Sequence, residues 1–137
     1  DKATKLETII DRIELVKNYH KSGIFVKGNE GKLHQAFLNI LSNAEQAIKE
    51  DGVIEIHTKP NEKYALIKIK DSGEGIENDN IGKITDPFFT TKEPGKGTGL
   101  GLSIVQKIIK EHKGKLKFNS DKGKGTQVIV KLPLEKL

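Results

Sequence analysis

Seven of the chain's fourteen glycines and two of its four prolines fall in one stretch, Asp71 to Gly101. So dense a run of breakers denies the stretch a regular hydrophobic face, which makes it a long functional loop on a scaffold supplied by the flanks. Those flanks are periodic. From Lys32 to Lys49, Leu33, Phe37, Ile40, Leu41, Ala44 and Ile48 repeat at helical spacing, with Asn29 placed as N-cap and Asp51-Gly52 as the stop. Val53 to Thr58 and Tyr64 to Lys70 alternate as strands, with Ile54 and Ile56 on one face of the first and Ile67 and Ile69 on one face of the second. They read as an antiparallel pair. After the loop, Leu102, Ile104, Val105, Ile108 and Ile109 predict a second amphipathic helix, with Gly114 expected as its C-terminal cap. Leu116 to Phe118 and Val128 to Leu132 form another strand pair across a turn at Asp121 to Gly125, and Ile24-Phe25-Val26 is a short β-type run. Residues 4–19 space Leu6, Ile9, Ile10, Ile13 and Leu15 in helical fashion and break at Ser22-Gly23, so residues 1–22 read as an incoming helix or a linker. The domain proper is then 23–137. This order predicts an α+β, two-layer sandwich: a mixed, mostly antiparallel sheet with helices on one face.

A chain of 137 residues has room for one such domain. Hydrophobic content of 34% beside charged content of 31% suits a soluble globular protein, and there is neither an apolar run of bilayer length nor a signal-peptide pattern. The reading is therefore a cytoplasmic-type module without direct membrane contact. With no cysteine, disulfides and thiolate metal sites are excluded, and the missing initiating methionine suggests an excised piece. The net charge of +5 rests almost wholly on lysine, Arg12 being the one arginine. Lysine lacks the planar fork that reads bases and phosphates, and the few aromatics do not interleave for stacking, so nucleic acid is not expected as a partner.

Glycines ahead of a helix raise the prospect of a nucleotide, because helix N-terminal amides bind phosphate. Two common nucleotide motifs fail here. Gly95-Lys96-Gly97-Thr98 lacks the P-loop order, and glycines 97, 99 and 101 miss the dinucleotide-binding spacing. What remains includes an unusual edge on the first helix, where the amides Gln35, Asn39 and Asn43 follow one another at i, i+4 and i+8. Four motifs then occur in order: Asn43-Ala44; Asp71-Ser72-Gly73-Glu74-Gly75-Ile76; Asp86-Pro87-Phe88-Phe89-Thr90-Thr91-Lys92; and Gly97-Thr98-Gly99-Leu100-Gly101-Leu102. These resemble the N, G1, F and G2 boxes of histidine kinases within the gyrase, Hsp90, histidine kinase and MutL ATPase superfamily. Gly123-Lys124-Gly125-Thr126 resembles the third glycine box, so the likeness runs from about Asn29 to the end. The wording of the phenylalanine box is most similar to the nitrogen-regulation type of sensor kinase.

The resemblance implies the Bergerat variant of the sandwich, binding ATP and Mg2+. Asp71 is implied as the acceptor for the adenine amino group, a role that an acceptor-only carboxylate suits and that guanine's carbonyl would not. Gly73, Gly75 and Ile76 would lie along the base. The amide oxygen of Asn43 is the implied magnesium ligand, the triphosphate supplying the charge. Asn39 stands where many superfamily members carry a basic glutamate, and its lack of basicity suits transfer to a histidine better than hydrolysis. Gly97, Thr98, Gly99, Leu100, Gly101 and Leu102 would wrap the phosphates, with Thr90, Thr91 and Thr126 also at the nucleotide. Lys92 is either a phosphate contact or a free surface lysine. Residues 76–98 would be an ATP lid latched by Phe88 and Phe89. A lysine often stands three positions after the metal-binding asparagine, and here Gln46 replaces it.

Relatives carry their acceptor histidine in a motif of His, an acidic residue, three others and Pro. None of His20, His34, His57 and His112 has that context. The acceptor is therefore expected on a dimerisation domain upstream, with onward transfer to a response regulator, and the chain alone is not expected to autophosphorylate. Two strands are also expected ahead of the asparagine helix, where the stretch is short. Competing readings are an anti-sigma-type serine kinase or ATPase of the same superfamily, and a non-catalytic ATP-binding docking module.

Overall fold

A computed structural model of the chain describes residues 13–75 and 101–135. In chain order these form β1 (Ile13–Asn18), α1 (Glu30–Ala47), β2 (Gly52–Asn61), β3 (Tyr64–Asp71), α2 (Gly101–Glu111), β4 (Lys115–Ser120) and β5 (Thr126–Pro133). The five strands make one sheet in the order β1-β2-β3-β5-β4. The β1-β2 pair is parallel and every other pair is antiparallel, so the sheet is mixed and mostly antiparallel, as expected.

Strand alternation sends one set of side chains toward the helices and the other toward solvent. Ile54, Ile69, Val128, Val130 and Leu132 meet Ala36, Ile40 and Ala44 of α1 and Val105, Ile108 and Ile109 of α2 in one buried cluster. Small residues at 36 and 44 let α1 lie close to its neighbours, while Ile40 fills the space between them. Truncating Ile40, which is 1% exposed, to alanine is expected to cost about 2–5 kcal/mol.

Two sequence expectations are corrected. The helix foreseen over 4–19 does not hold for Ile13–Asn18, which is a strand paired residue by residue with Gly52 to His57. Hydrogen-bond partners some forty residues away decide that segment, and local apolar spacing cannot report them. Ile13, 2% exposed, joins the core, so the sheet begins on the N-terminal side of the boundary expected at residue 23. Of the two strands expected ahead of the asparagine helix, the described residues contain this one and a bridge from Val26 to Leu134.

The second correction concerns the end of α2. Its left-handed residue is Lys113 (φ 60°), and Gly114 lies one position beyond. The Lys113 amide bonds the Lys110 carbonyl at 3.0 Å and the Gly114 amide bonds the Ile109 carbonyl at 2.9 Å, the crossed pattern of a Schellman end. Gly114 is needed for a different reason: a Cβ there would collide with the Lys131 carbonyl oxygen.

The start of α1 is tied to the end of α2. Asn29 caps α1 as expected, its side chain accepting from the Lys32 amide at 2.9 Å. The Asn29 amide donates to His112 Nε2 at 3.0 Å, and His112 Nδ1 lies 2.7 Å from the Ile108 carbonyl. Because a carbonyl only accepts and an amide only donates, the ring is held as the neutral Nδ1–H tautomer. Lys32 and Glu111 add an exposed ion pair at 3.1 Å, worth at most about 1 kcal/mol.

Candidate functional site

The site is built along one edge of α1. Asn39, Asn43 and Ala47 follow at intervals of four, about 12 Å from first to last along the axis. Asn39 Nδ2 donates to the Gly101 carbonyl at 3.4 Å, and a Cβ placed on Gly101 would lie 3.8 Å from Asn43 Nδ2. Both asparagines thus face the N-terminus of α2, where free amides and the positive end of the helix dipole favour an anion. Leu102 sits half-buried in that first turn. Gln35, the third amide of the stripe, is exposed and apart from this junction.

The other end of the edge holds the segment after β3. The Glu74 amide donates to the Ala47 carbonyl at 3.1 Å, and Gly73 packs so closely that a Cβ would lie 2.6 Å from the same oxygen. On its far side the segment meets the β4–β5 turn, with the Gly123 amide donating to the Glu74 carbonyl at 2.6 Å. Gly75 (φ 75°) would collide with the Asp121 carbonyl if it carried a Cβ, and Gly125 (φ 88°) with the Asp71 carbonyl. Only glycine allows both the left-handed backbone and the approach of the two chains.

Asp71 lies at the centre of this clamp and is 5% exposed. Burial pushes its carboxyl above the ordinary carboxylate range, while hydrogen bonds from the Gly73 and Thr126 amides pull it back. The Gly73 bond, to Oδ1, is 2.9 Å. Two donors leave a carboxylate with accepting capacity to spare, so a further N–H group fits here. Ser72 locks the strand end: its amide donates to the Val53 carbonyl at 3.0 Å and its hydroxyl accepts from the Val53 amide at 2.9 Å. Thr126 is held by Ser120, hydroxyl to hydroxyl at 2.8 Å.

The described residues therefore form two clusters joined by α1. Asn39, Asn43, Gly101 and Leu102 make one, and Asp71, Gly73, Gly75 and Thr126 the other. Ile76, Thr90, Thr91, Lys92, Gly97, Thr98, Gly99 and Leu100 lie outside the described residues, as do Phe88, Phe89 and the expected lid. Gln46 donates to the Ser42 hydroxyl within its own helix, at 3.2 Å. Sequence reasoning passed over Ala47 and Ser120 and gave Ser72, inside its motif, no role of its own. Ala47 could have been found by extending the 39–43 interval by one more step.

Comparisons with known proteins bear on this geometry. Residues 28–136 match the family described as histidine kinase-, DNA gyrase B-, and HSP90-like ATPase. The chain is 42% identical over 135 residues to sporulation kinase C of Bacillus subtilis, covering 96% of this chain and 31% of that protein. It is 35% identical over 144 residues to the sensor protein kinase WalK of Staphylococcus aureus, covering 95% of this chain and 34% of the relative. The chain thus spans about a third of the length of these kinases. Among solved structures, the catalytic domain of the histidine kinase ThkA superposes with a TM-score of 0.83 at 31% identity, covering 96% of this chain and 86% of that one. The mycobacterial sensor histidine kinase MprB, at 24% identity, shares the fold with a TM-score of 0.82, covering 99% of this chain and 93% of that one. The sandwich, the two clusters along α1 and these likenesses converge: the chain belongs to the histidine kinase-, DNA gyrase B-, and HSP90-like ATPase family, as a catalytic domain of the sensor histidine kinase type.

Proposed function

We propose that the domain binds Mg-ATP and presents its γ-phosphate to a histidine on a separate dimerisation domain of the same parent protein, from which a response regulator is then phosphorylated. The supporting observation is the buried Asp71 carboxylate, held by two amides with accepting capacity to spare. Ionised, it accepts from the exocyclic amine of adenine and repels the carbonyl oxygen that guanine places there. Gly73 and Gly75 keep the backbone low enough for a flat base to lie against it. Thr126 supports Asp71 through its amide. Ile76, Thr90 and Thr91 complete the nucleotide's surroundings.

At the other end of the edge, Asn43 supplies an oxygen ligand to magnesium. Among the described residues no cluster of three or more His, Cys, Asp or Glu could hold a metal alone. An oxygen from Asn43 with phosphate oxygens and water suits a hard cation that sheds its water reluctantly. The α2 amides at Gly101 and Leu102, with Gly97 to Leu100 and Lys92, neutralise the phosphates. Asn39 orients without removing a proton from water, so the chain favours transfer over hydrolysis. Rate enhancement then comes from positioning and charge neutralisation, the acceptor imidazole being brought in line by domain docking.

Residues ahead of β1 connect to the dimerisation domain, and without it the chain does not autophosphorylate. The DPFFTTK wording favours a nitrogen-regulation-like subtype, and we place the domain in the cytoplasm. Among the described residues no helix is long and apolar enough to cross a membrane.

Calorimetric titration with non-hydrolysable ATP and GTP analogues, with and without magnesium, tests this reading. Micromolar, magnesium-assisted binding of the ATP analogue alone is expected, weakened at least about 100-fold in Asp71→Asn, the consequence of losing a buried charged acceptor. Equal binding of the GTP analogue would remove the role given to Asp71.

A further inference from the structure

The face of the sheet turned away from the helices carries charge in an uneven way. Register places three rows across it: Glu55, Lys70, Gln127 and Asn119; then His57, Lys68, Ile129 and Lys117; then Lys59, Leu66, Lys131 and Lys115. Six lysines share this face with Glu55 and the edge residue Glu14, against a net charge of +5 for the whole chain. Lys115 and Lys131 are direct cross-strand partners, an arrangement of like charges that destabilises a sheet. None of the six is in an ion pair among the described residues. A shallow depression crosses this face over β1 to β3, with Glu55, His57, Lys59, Lys68 and Lys70 on its walls and Leu66, 6% exposed, in its floor.

We propose that this outer sheet face docks an acidic segment of a partner protein, its carboxylates paired with the lysine rows and its chain lying in the depression. The lysine stems supply apolar walls while their ammonium groups reach outward, which suits carboxylates spread along a peptide. A membrane fits less well, because the exposed large hydrophobic residues, Leu15, Tyr19, Phe25 and Leu38, all lie elsewhere, leaving nothing here to insert among lipids. Nucleic acid fits less well too, for the face has no arginine and its one aromatic of the stacking kind, Tyr64, lies at the end of the sheet rather than between the lysine rows. This surface is opposite the helices that form the nucleotide site, so the inference stands apart from the nucleotide reading.

The test is fluorescence anisotropy with labelled poly-L-glutamate as probe, with phosphatidylserine vesicles and duplex DNA in parallel. The triple variant Lys68→Glu, Lys117→Glu, Lys131→Glu is compared with Lys27→Glu, Lys107→Glu, Lys110→Glu, which has the same net charge. Circular dichroism and ATP-analogue binding check that each remains folded. Salt-sensitive poly-L-glutamate binding is expected, at least tenfold weaker in the sheet variant and less than twofold weaker in the other. Equal weakening in both variants, absence of binding, or preference for vesicles or DNA would each overturn the proposal.

Discussion

The two ends of the α1 edge are built differently. Around Asp71 the backbone of four segments is stitched together by the Glu74–Ala47, Gly123–Glu74 and Ser72–Val53 hydrogen bonds, with glycines at each close approach. Around Gly101, among the described residues, Asn39 Nδ2 donates a hydrogen bond of 3.4 Å to the Gly101 carbonyl, and a Cβ would have ordinary van der Waals room beside Asn43. The first end is preorganised, which under the proposed function suits a flat base. The second presents side-chain amides and a helix N-terminus, which under the same proposal suit the phosphates. Under that reading, selectivity for the base falls to the Asp71 end and transfer to the Gly101 end.

This contrast can be broken or sharpened by substitution. Gly125→Ala puts a methyl group against the Asp71 carbonyl at a positive φ. It is expected to cost about 2–4 kcal/mol in urea unfolding and to weaken analogue binding with it. Acidification probes the same end. Because the folded pKa of Asp71 is raised, the folded domain takes up this proton more readily than the unfolded chain. Its contribution therefore favours folding as pH falls through the raised value and is complete below the ordinary carboxylate pKa of about 3.9. Thermal unfolding of wild type and Asp71→Asn across that window should differ in this sense, while ATP-analogue affinity of wild type falls as the acceptor is neutralised.

At the Gly101 end the signs reverse. Among the described residues Gly101→Ala meets nothing closer than 3.8 Å, so unfolding should show a gain of up to about 1 kcal/mol from helix propensity. Smallest of all, Asn39→Ala removes one long hydrogen bond and gains propensity, so stability should move by less than about 0.5 kcal/mol. A large loss from either would show that the Gly101 end is as tightly clamped as the Asp71 end.

The same contrast explains what was legible from sequence. The helices and strands after Asn29 follow from apolar spacing, since each must bury one face in a common core. Asp71, Gly73 and Gly75 stand together in sequence, so the buried cluster they form could be picked out as a motif in advance. β1 could not be foreseen, because Ile9, Ile10 and Ile13 imitate a helical face and the strand is defined by a partner beyond residue 51. Lys113 was missed because glycine is the usual left-handed residue, and here Gly114 answers to a steric demand from Lys131 instead. Ala47 bears no chemical group; it acts through its carbonyl and its small size, which no motif advertises.

The His112 junction has one further consequence. Under the proposed function, a domain that delivers phosphoryl groups to imidazole nitrogens must not squander them on its own. Phosphoryl transfer needs a nitrogen lone pair free to attack, and in His112 one ring nitrogen carries the proton given to Ile108 while the other's lone pair is engaged by the Asn29 amide. The clasp that fastens the two helices thus also leaves this imidazole without a nucleophilic nitrogen.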